Sequence, residues 1–216
     1  MTGNDNDGTH KRRVRLYHPD FLDGWLSDMT SRYQFQSIYD DSDIFNMSDT
    51  HTLRTAECYR KTGLPWAAMC RADTIKHETW KAMRDCGCFA VKIGFESLDQ
   101  HVVNKIIGKA LDITEAIETC KYIKSLGMFI HGTFMIGLPG ETKEQMEITK
   151  RGIQALHQQG ILDTHQLSGA AELDGTPLQQ LRLRGSLPKF EGAKIDENYL
   201  VESDGNKKLA RMSESI

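Results

Sequence analysis

Short apolar runs alternate with helical patterns along most of this 216-residue sequence. The runs predict β-strands, and the segments between them repeat apolar residues every three or four positions, the spacing of one helical face. Strands joined by single helices must run parallel, because each crossover helix returns the chain to the same edge of the sheet. The sequence therefore predicts an α/β protein of about five βα units. Periodicity alone does not distinguish a barrel from an open doubly wound sheet.

Local signals predict where each element lies. The strands are expected at residues 35–39, 65–70, 89–95, 129–136 and, more weakly, 164–167. One helix is expected from Pro19 to Tyr33, and a second from Thr74 to just before Gly87. A short helix is expected to start at Ser97 with Gln100 at the capping-box position, and another to start at Asp112 or Thr114 and stop at Gly127. The last is expected to start at Thr142, with Gln145 as its capping-box partner, and to stop at Gly160. Residues 1–13 are predicted to be a flexible arm, residues 14–183 the α/β domain, and residues 184–216 a polar tail.

The composition gives no support for a nucleic-acid or membrane partner. The chain has 27 basic and 30 acidic residues, so its formal net charge is −3 and no overall field attracts polyanions. Its longest apolar run, residues 128–138, is too short to span a bilayer. Five cysteines are an odd number and do not suggest a disulfide framework, which fits a reducing compartment. We expect a cytoplasmic protein with no membrane span.

Polar residues follow the predicted strands, at the edge where parallel α/β folds bind ligands. In chain order they are Asp40 and Asp41, Arg71, Glu96 and Ser97, Gly137 to Glu141, and residues 172–177. Carboxylates suit an ammonium group or ribose hydroxyls, a guanidinium suits a carboxylate, and glycines let backbone approach closely. These residues together suit a small zwitterion. Strand ends are polar in most proteins, however, and Ser97 is also explained as a helix N-cap.

Several segments resemble one known family when they are taken together and in order. They are residues 38–41 with Phe45, 71–73, 83–87, 94–97, Lys109, 132–142 and 174–178. From about Val14 to Leu183 the chain resembles the second to sixth βα units of a radical S-adenosylmethionine (SAM) barrel. The likeness is to the subgroup that often carries a cobalamin-binding domain. It implies a partial TIM-like barrel of parallel strands whose first unit is missing.

The resemblance also implies roles for the residues at the strand ends. Asp40 and Asp41 take the position that holds the methionyl amino group of SAM, and Glu96 and Ser97 take the position that meets its ribose or carboxylate. The turn from Gly137 to Glu141 corresponds to the element near adenine, and Arg71 follows the strand where a contact to SAM or substrate is expected. No catalytic residue and no metal ligand are assigned in this chain.

The sequence departs from the family at the iron-sulfur cluster. Radical SAM chemistry requires a [4Fe-4S] cluster on a C-x-x-x-C-x-x-C loop, and no such triplet occurs here. Cys58 and Cys120 fall within predicted helices, Cys70 ends a strand, and Cys86 and Cys88 form a C-x-C pair. We expect all five to be structural. We also expect the chain to be a fragment that begins after the cluster loop and is inactive alone.

The full-length enzyme implied by the resemblance would cleave SAM reductively to start hydrogen abstraction or methyl transfer on a small-molecule substrate. It would use flavodoxin or ferredoxin as reductant, and cobalamin would be a further cofactor. A different interpretation is a cluster-less SAM-binding or scaffold protein. A third is a Mg²⁺-dependent phosphatase, since Asp41 and Asp43 form a D-x-D pair after a strand.

Overall fold

The computed structural model describes residues 16–170. Five β-strands lie at Ile38–Asp40 (β1), Trp66–Cys70 (β2), Cys88–Glu96 (β3), Phe129–Ile136 (β4) and Thr164–Gly169 (β5). Five α-helices lie at Pro19–Arg32 (α1), Asp49–Thr62 (α2), His77–Asp85 (α3), Ile113–Ser125 (α4) and Lys143–Gln158 (α5). A π-helix spans Val102–Ile107. The expected arm, the expected tail and the 174–178 segment lie outside the described residues.

The five strands form one parallel sheet in the order β1-β2-β3-β4-β5. Each strand therefore lies beside its neighbour in the chain. A doubly wound sheet reverses its strand order at a switch point and carries helices on both faces. Here the winding never reverses, as in a barrel. The fold is an α/β partial barrel, and the open doubly wound alternative from the sequence is excluded for these strands.

The sheet has two unlike faces. One face packs against helices in a single apolar core, to which β3 contributes Val91, Ile93 and Phe95 and α4 contributes Cys120 and Ile123. From Val91 onward β3 alternates between buried and half-buried residues, because successive side chains of a strand point to opposite faces. The half-buried set lies opposite the helices, and we call that side the inner face.

Most predicted boundaries are confirmed to within two residues, but the strand predicted at residues 35–39 begins three residues later and is observed as Ile38–Asp40. The strand at residues 129–136 is observed as Phe129–Ile136, and α1 ends one residue earlier than predicted. The capping box before α5 is present: Thr142 accepts from the Gln145 backbone and the Gln145 side chain accepts from the Thr142 backbone. Asp112 rather than Thr114 caps α4.

Two predicted helix starts are wrong. Helix α3 begins at His77 instead of near Thr74, whose hydroxyl donates to the Arg71 carbonyl. No capping box forms between Ser97 and Gln100, because the Gln100 amide bridges to Leu111 and Ile113 and so ties the π-helix to the start of α4. The Asp99 carboxylate instead accepts from the Val102 backbone. No helix between residues 16 and 170 is long and apolar enough to cross a bilayer.

Candidate functional site

Glu96 is turned onto the inner face by an irregularity at the end of β3. The pairing of β3 with β4 shifts between Gly94 and Glu96, and such bulges re-aim a side chain. Glu96 has a φ of 66°, a left-handed conformation that is costly for a residue with a Cβ. Its carboxylate lies over Gly94, where an added Cβ would be 2.7 Å from Glu96 Oε1. A Cβ at position 94 would therefore require the ends of the Glu96 and Lys109 side chains to move from their present positions.

Lys109 reaches the same place from the loop between the π-helix and α4. Its Nζ donates to Glu96 Oε1 at 2.9 Å and to the Gly94 carbonyl at 2.5 Å. The residues on either side, Gly108 and Ala110, have φ values of 72° and 51°. The loop thus has a left-handed residue on each side of Lys109, whose side chain contacts the end of β3.

Backbone strain in the described part of the chain concentrates at this ion pair. Glu96 and Ala110 are the two non-glycine residues with positive φ between residues 16 and 170. Each such residue costs on the order of 1–3 kcal/mol, and conformations of this kind cluster at binding and catalytic sites. A π-helix, another feature found often at functional sites, leads directly into Lys109. The local geometry therefore makes the pair a candidate functional site.

Arg71, the residue after β2, is linked to the Glu96–Lys109 pair by a hydrogen bond to the Lys109 backbone. Its guanidinium donates to both oxygens of Asp73, at 2.9 and 2.7 Å, and to the Lys109 carbonyl at 3.2 Å. The hydrogen bond to Asp73 raises the pKa of Arg71. Buried Asn46 exchanges two hydrogen bonds with the Arg71 backbone, which fixes the point where the side chain leaves the strand.

The turn after β4 is built around Glu141. Glu141 Oε2 accepts from the backbone amides of Gly137 and Leu138 at 2.6 and 3.0 Å, and Gly137 and Gly140 adopt the positive φ that this turn requires. Glu141 Oε1 is buried and has no hydrogen-bond partner in the described residues. Burial raises the pKa of Glu141. A buried carboxylate oxygen left without a partner is a site where a ligand donor would be stabilised.

The two adjacent aspartates at the end of β1, Asp40 within the strand and Asp41 after it, have different surroundings. Asp40 accepts hydrogen bonds from the Tyr59 hydroxyl and the Ser42 backbone, so it is tied to α2. Asp41 is exposed. Of this pair, Asp41 is the carboxylate that remains accessible to a ligand.

Ser97 is fully buried behind the site. Its hydroxyl bonds to Thr149 of α5 at 2.9 Å and accepts from the Asp99 backbone. These contacts secure the turn after β3 against α5. The structure thus connects Arg71 and Glu96 through Lys109, places Gly137 and Glu141 together in the next turn, and ties Asp40 and Ser97 to the helices. None of these placements tests the predicted contacts with SAM.

Sequence reasoning did not select Lys109 or Asp73 as site residues. Lys109 lies 13 positions after its partner Glu96, and no local pattern links them. Two signals were available: Lys109 stands among the residues that carry the family resemblance, and the Gly108-Lys109 dipeptide after an apolar segment predicts a sharp turn there. Asp73 could have been anticipated from its spacing of two residues from Arg71, since both follow the same strand.

The cysteines do not fit an iron-sulfur cluster. All five lie in the described residues, where no group of three or more Cys, His, Asp or Glu side chains is arranged to hold a metal ion. Four of them are buried, and Cys58, Cys70, Cys88 and Cys120 belong to the core between sheet and helices. Burial raises the pKa of Cys120 to about 12 and that of Cys58 to about 11. A cluster requires three thiolates that converge on it, and the thiols of the described residues do not form such a group.

The donor set at the strand ends does fit SAM. SAM carries an ammonium, a carboxylate, a sulfonium, ribose hydroxyls and an adenine with a donor amino group. Exposed Asp41, the guanidinium of Arg71 and the carboxylate of Glu96 offer complementary groups, and the unpartnered oxygen of Glu141 lies in the adjoining turn.

Comparison with known sequences identifies the family of the chain. Residues 45–153 match the family described as the Radical SAM superfamily. The chain is 28% identical over 164 residues to an uncharacterised methyltransferase of Pyrococcus horikoshii, covering 75% of this chain and 35% of that protein. It is 34% identical over 118 residues to cytidylyl-2-hydroxyethylphosphonate methyltransferase of Streptomyces wedmorensis, covering 50% of this chain and 21% of that protein. The chain thus spans about a third or less of these relatives.

Solved structures show the same fold. Coproporphyrinogen III oxidase from Escherichia coli, a radical SAM enzyme, superposes on this chain with a TM-score of 0.65 at 13% sequence identity. The match covers 90% of this chain and 45% of the oxidase chain. The radical SAM methyltransferase TsrM from Kitasatospora setae, with cobalamin and a [4Fe-4S] cluster bound, gives a TM-score of 0.58 at 14% sequence identity. The match covers 71% of this chain and 30% of the TsrM chain.

Proposed function

Because the chain belongs to the radical SAM superfamily, we propose that its strand-end site binds SAM as part of a methyltransferase. The superfamily uses SAM together with a [4Fe-4S] cluster. Support for the methyltransferase assignment comes from the two curated relatives, each named a methyltransferase. Support for SAM binding comes from the match over residues 45–153 and from the charged groups at the strand ends inside that range.

The observation that carries the proposal is the Glu96–Lys109 pair. The Lys109 side chain is 14% exposed and the Glu96 side chain 29% exposed. Of the two left-handed non-glycine residues in the described chain, one is Glu96 itself and the other, Ala110, follows Lys109. A fold that needed only an ion pair for stability would not require such strain, because replacing a partly buried pair by apolar residues is often neutral or stabilising. The strained geometry is instead expected where a ligand must be positioned.

We assign four groups of SAM, its carboxylate, ammonium, ribose hydroxyls and adenine, to neighbouring residues. Arg71 and Lys109 would orient the methionyl carboxylate, exposed Asp41 the ammonium, and Glu96 the ribose hydroxyls. The Gly137–Glu141 turn would hold adenine, with Glu141 Oε1 accepting from its amino group. Asp40 and Ser97 would act as positioning residues, since their hydrogen bonds fix the segments that carry Asp41 and Glu96.

The cluster and the cobalamin supply the electron and methyl-transfer chemistry where such enzymes hold them. The cysteines of this chain do not fit a cluster, so we propose that these 216 residues alone do not cleave SAM. What they contribute is orientation of SAM and protection from water. A cytoplasmic location, a flavodoxin or ferredoxin as reductant, and a small-molecule substrate belong to the same proposal for the complete enzyme. A cluster-less SAM-binding protein would use the same site.

Calorimetric titration with SAM tests the binding assignment. Glu96→Gln removes the charge of Glu96 and is expected to raise the Kd for SAM at least about tenfold, because a charge-assisted hydrogen bond is lost. The matched control is Glu118→Gln, since Glu118 also pairs with a lysine, Lys121, but on the exposed surface of α4. The control should bind SAM as the unaltered chain does.

Equal affinity of the unaltered chain and Glu96→Gln would contradict the assignment of Glu96. Absence of SAM binding by the unaltered chain, with a cooperative unfolding transition confirming that it is folded, would contradict the proposal as a whole.

A further inference from the structure

The inner face carries polar side chains in the middle of its central strands. Strands inside a parallel sheet are normally apolar on both faces. On the inner face β3 instead carries Lys92, and β4 carries His131 and Thr133. The register pairs Lys92 with His131 and Gly94 with Thr133. Three polar side chains and one glycine thus occupy four adjoining positions.

The direction of these side chains follows from their neighbours. An added Cβ at Gly132 would meet Phe134 and Leu162, which belong to the helix-packed core. His131 and Thr133, on either side of Gly132, therefore point to the inner face. An added Cβ at Gly94 would lie 3.6 Å from Thr133 Oγ1, which places Lys92, two residues earlier, on that face as well.

The three side chains have unused hydrogen-bonding capacity within residues 16–170. His131 is 0% exposed, and its Nδ1 lies 2.8 Å from Thr164 Oγ1, but its Nε2 has no partner. No described carboxylate lies within ion-pair distance of Lys92, whereas Arg71, Lys109 and Lys124 are each paired with one. A buried ring nitrogen without a partner is costly, and so is an adjacent ammonium that no carboxylate of residues 16–170 compensates.

We propose that Lys92, His131 and Thr133, the inner-face donor patch, bind an oxyanion group of the substrate, of the phosphonate or phosphate class. An ammonium, a ring N–H and a hydroxyl supply three donors, which matches the three oxygens of such a group. When the Thr164 hydroxyl donates to His131 Nδ1, the proton lies on Nε2 and is available to the anion. The proposal rests on SAM binding at the strand ends, and it names the substrate class for that site.

The position of the patch suits a substrate beside SAM. Two residues along a strand span about 7 Å, so Lys92 lies about that far below Gly94, over which the Glu96–Lys109 pair sits. An anion held by the patch would therefore lie deeper on the same face as the proposed SAM site. The rest of the substrate would extend toward the strand ends, where the methyl group is expected.

Methylphosphonate is the probe for this proposal, with acetate as the comparison anion. The chain labelled with ¹⁵N in its histidine side chains is titrated with each anion, and the His131 ring signals are followed by NMR. Methylphosphonate should shift them in a saturable manner, and acetate should bind more weakly. Lys92→Met should raise the Kd for methylphosphonate at least about tenfold, whereas Lys92→Arg, which keeps the charge, should stay within about threefold.

Lys121→Met is the matched control, because Lys121 is an exposed lysine on α4; it should bind methylphosphonate with unchanged affinity. Equal affinity of the unaltered chain and Lys92→Met, or no shift of the His131 signals, would overturn the proposal.

SAM titrations of Lys92→Met separate the two sites. Normal SAM affinity is expected, and a parallel loss of SAM affinity would assign Lys92 to the SAM site and refute the substrate assignment. Failure of SAM binding in every variant would contradict the proposed function, while the methylphosphonate titration would still test the patch.

Discussion

His131 should make the stability of the chain depend on pH between 7 and 5. Burial, followed by the nearby charges of Lys92 and His165, lowers the pKa of His131 from 6.5 to about 4. The unfolded chain then takes up a proton near pH 6.5 that the folded chain takes up only near pH 4. The stabilising contribution is therefore complete above about pH 6.5 and is lost as the pH falls toward 4.

The size of the effect follows from the pKa difference. One pKa unit corresponds to about 1.4 kcal/mol, so a shift of about 2.5 units amounts to about 3 kcal/mol in total. Between pH 7 and pH 5 the free energy of unfolding should fall by about 2 kcal/mol through this one group. That is a large share of the stability of a typical domain.

Urea unfolding at several pH values, followed by tryptophan fluorescence, measures this loss. His131→Asn keeps a partner for the Thr164 hydroxyl but does not titrate, so its stability should fall by about 2 kcal/mol less than that of the unaltered chain over the same range. Comparing the two cancels the titration of other groups, including Glu141. His101→Asn, at an exposed histidine, controls for loss of a histidine as such. If His131→Asn loses as much stability as the unaltered chain, the burial argument for His131 is refuted.

Three further outcomes are expected. Gly94→Ala should weaken SAM binding at least about tenfold in calorimetry, because a Cβ 2.7 Å from Glu96 Oε1 and 3.0 Å from Lys109 Nζ displaces the ion pair; unchanged affinity would show that the pair is not needed. Anaerobic reconstitution with iron and sulfide should leave the chain without a stoichiometric cluster in iron analysis, since four of its five thiols are buried in the core; about four irons per chain would contradict this. Thr142→Ala should lower the free energy of unfolding by about 1 kcal/mol through loss of the α5 cap, and urea unfolding at pH 7 would expose an error in that value.

The fold could be predicted from the sequence because its signals are local. The alternation of apolar runs with helical patterns sets the order of elements, and short crossovers then require parallel strands. The capping box at Thr142 and Gln145 is a four-residue pattern, and the structure confirms it. The same kind of signal failed at Ser97, where Gln100 finds partners in Leu111 and Ile113 that are distant in sequence. A tertiary contact there replaced a local one.

The candidate site could be predicted only in part. The sequence marks which residues follow each strand, but not the direction in which their side chains point. In a strand as short as β1, a shift of one residue exchanges its two faces, so the different surroundings of Asp40 and Asp41 could not be read from the residues. The Glu96–Lys109 pair depends on a bulge and a bent loop. Both are set by packing rather than by local propensity.

The distribution of charge links the two proposed ligands. SAM has a net charge of +1 because its sulfonium and ammonium outweigh its carboxylate. At the strand ends, Asp41, Asp73 and Glu96 outnumber the cations Arg71 and Lys109, which favours a cationic ligand. Deeper on the inner face the balance reverses, because Lys92 has no carboxylate partner among the described residues. A cationic methyl donor and an anionic substrate would thus each lie against charge of the opposite sign, and the same arrangement would disfavour exchange of their positions.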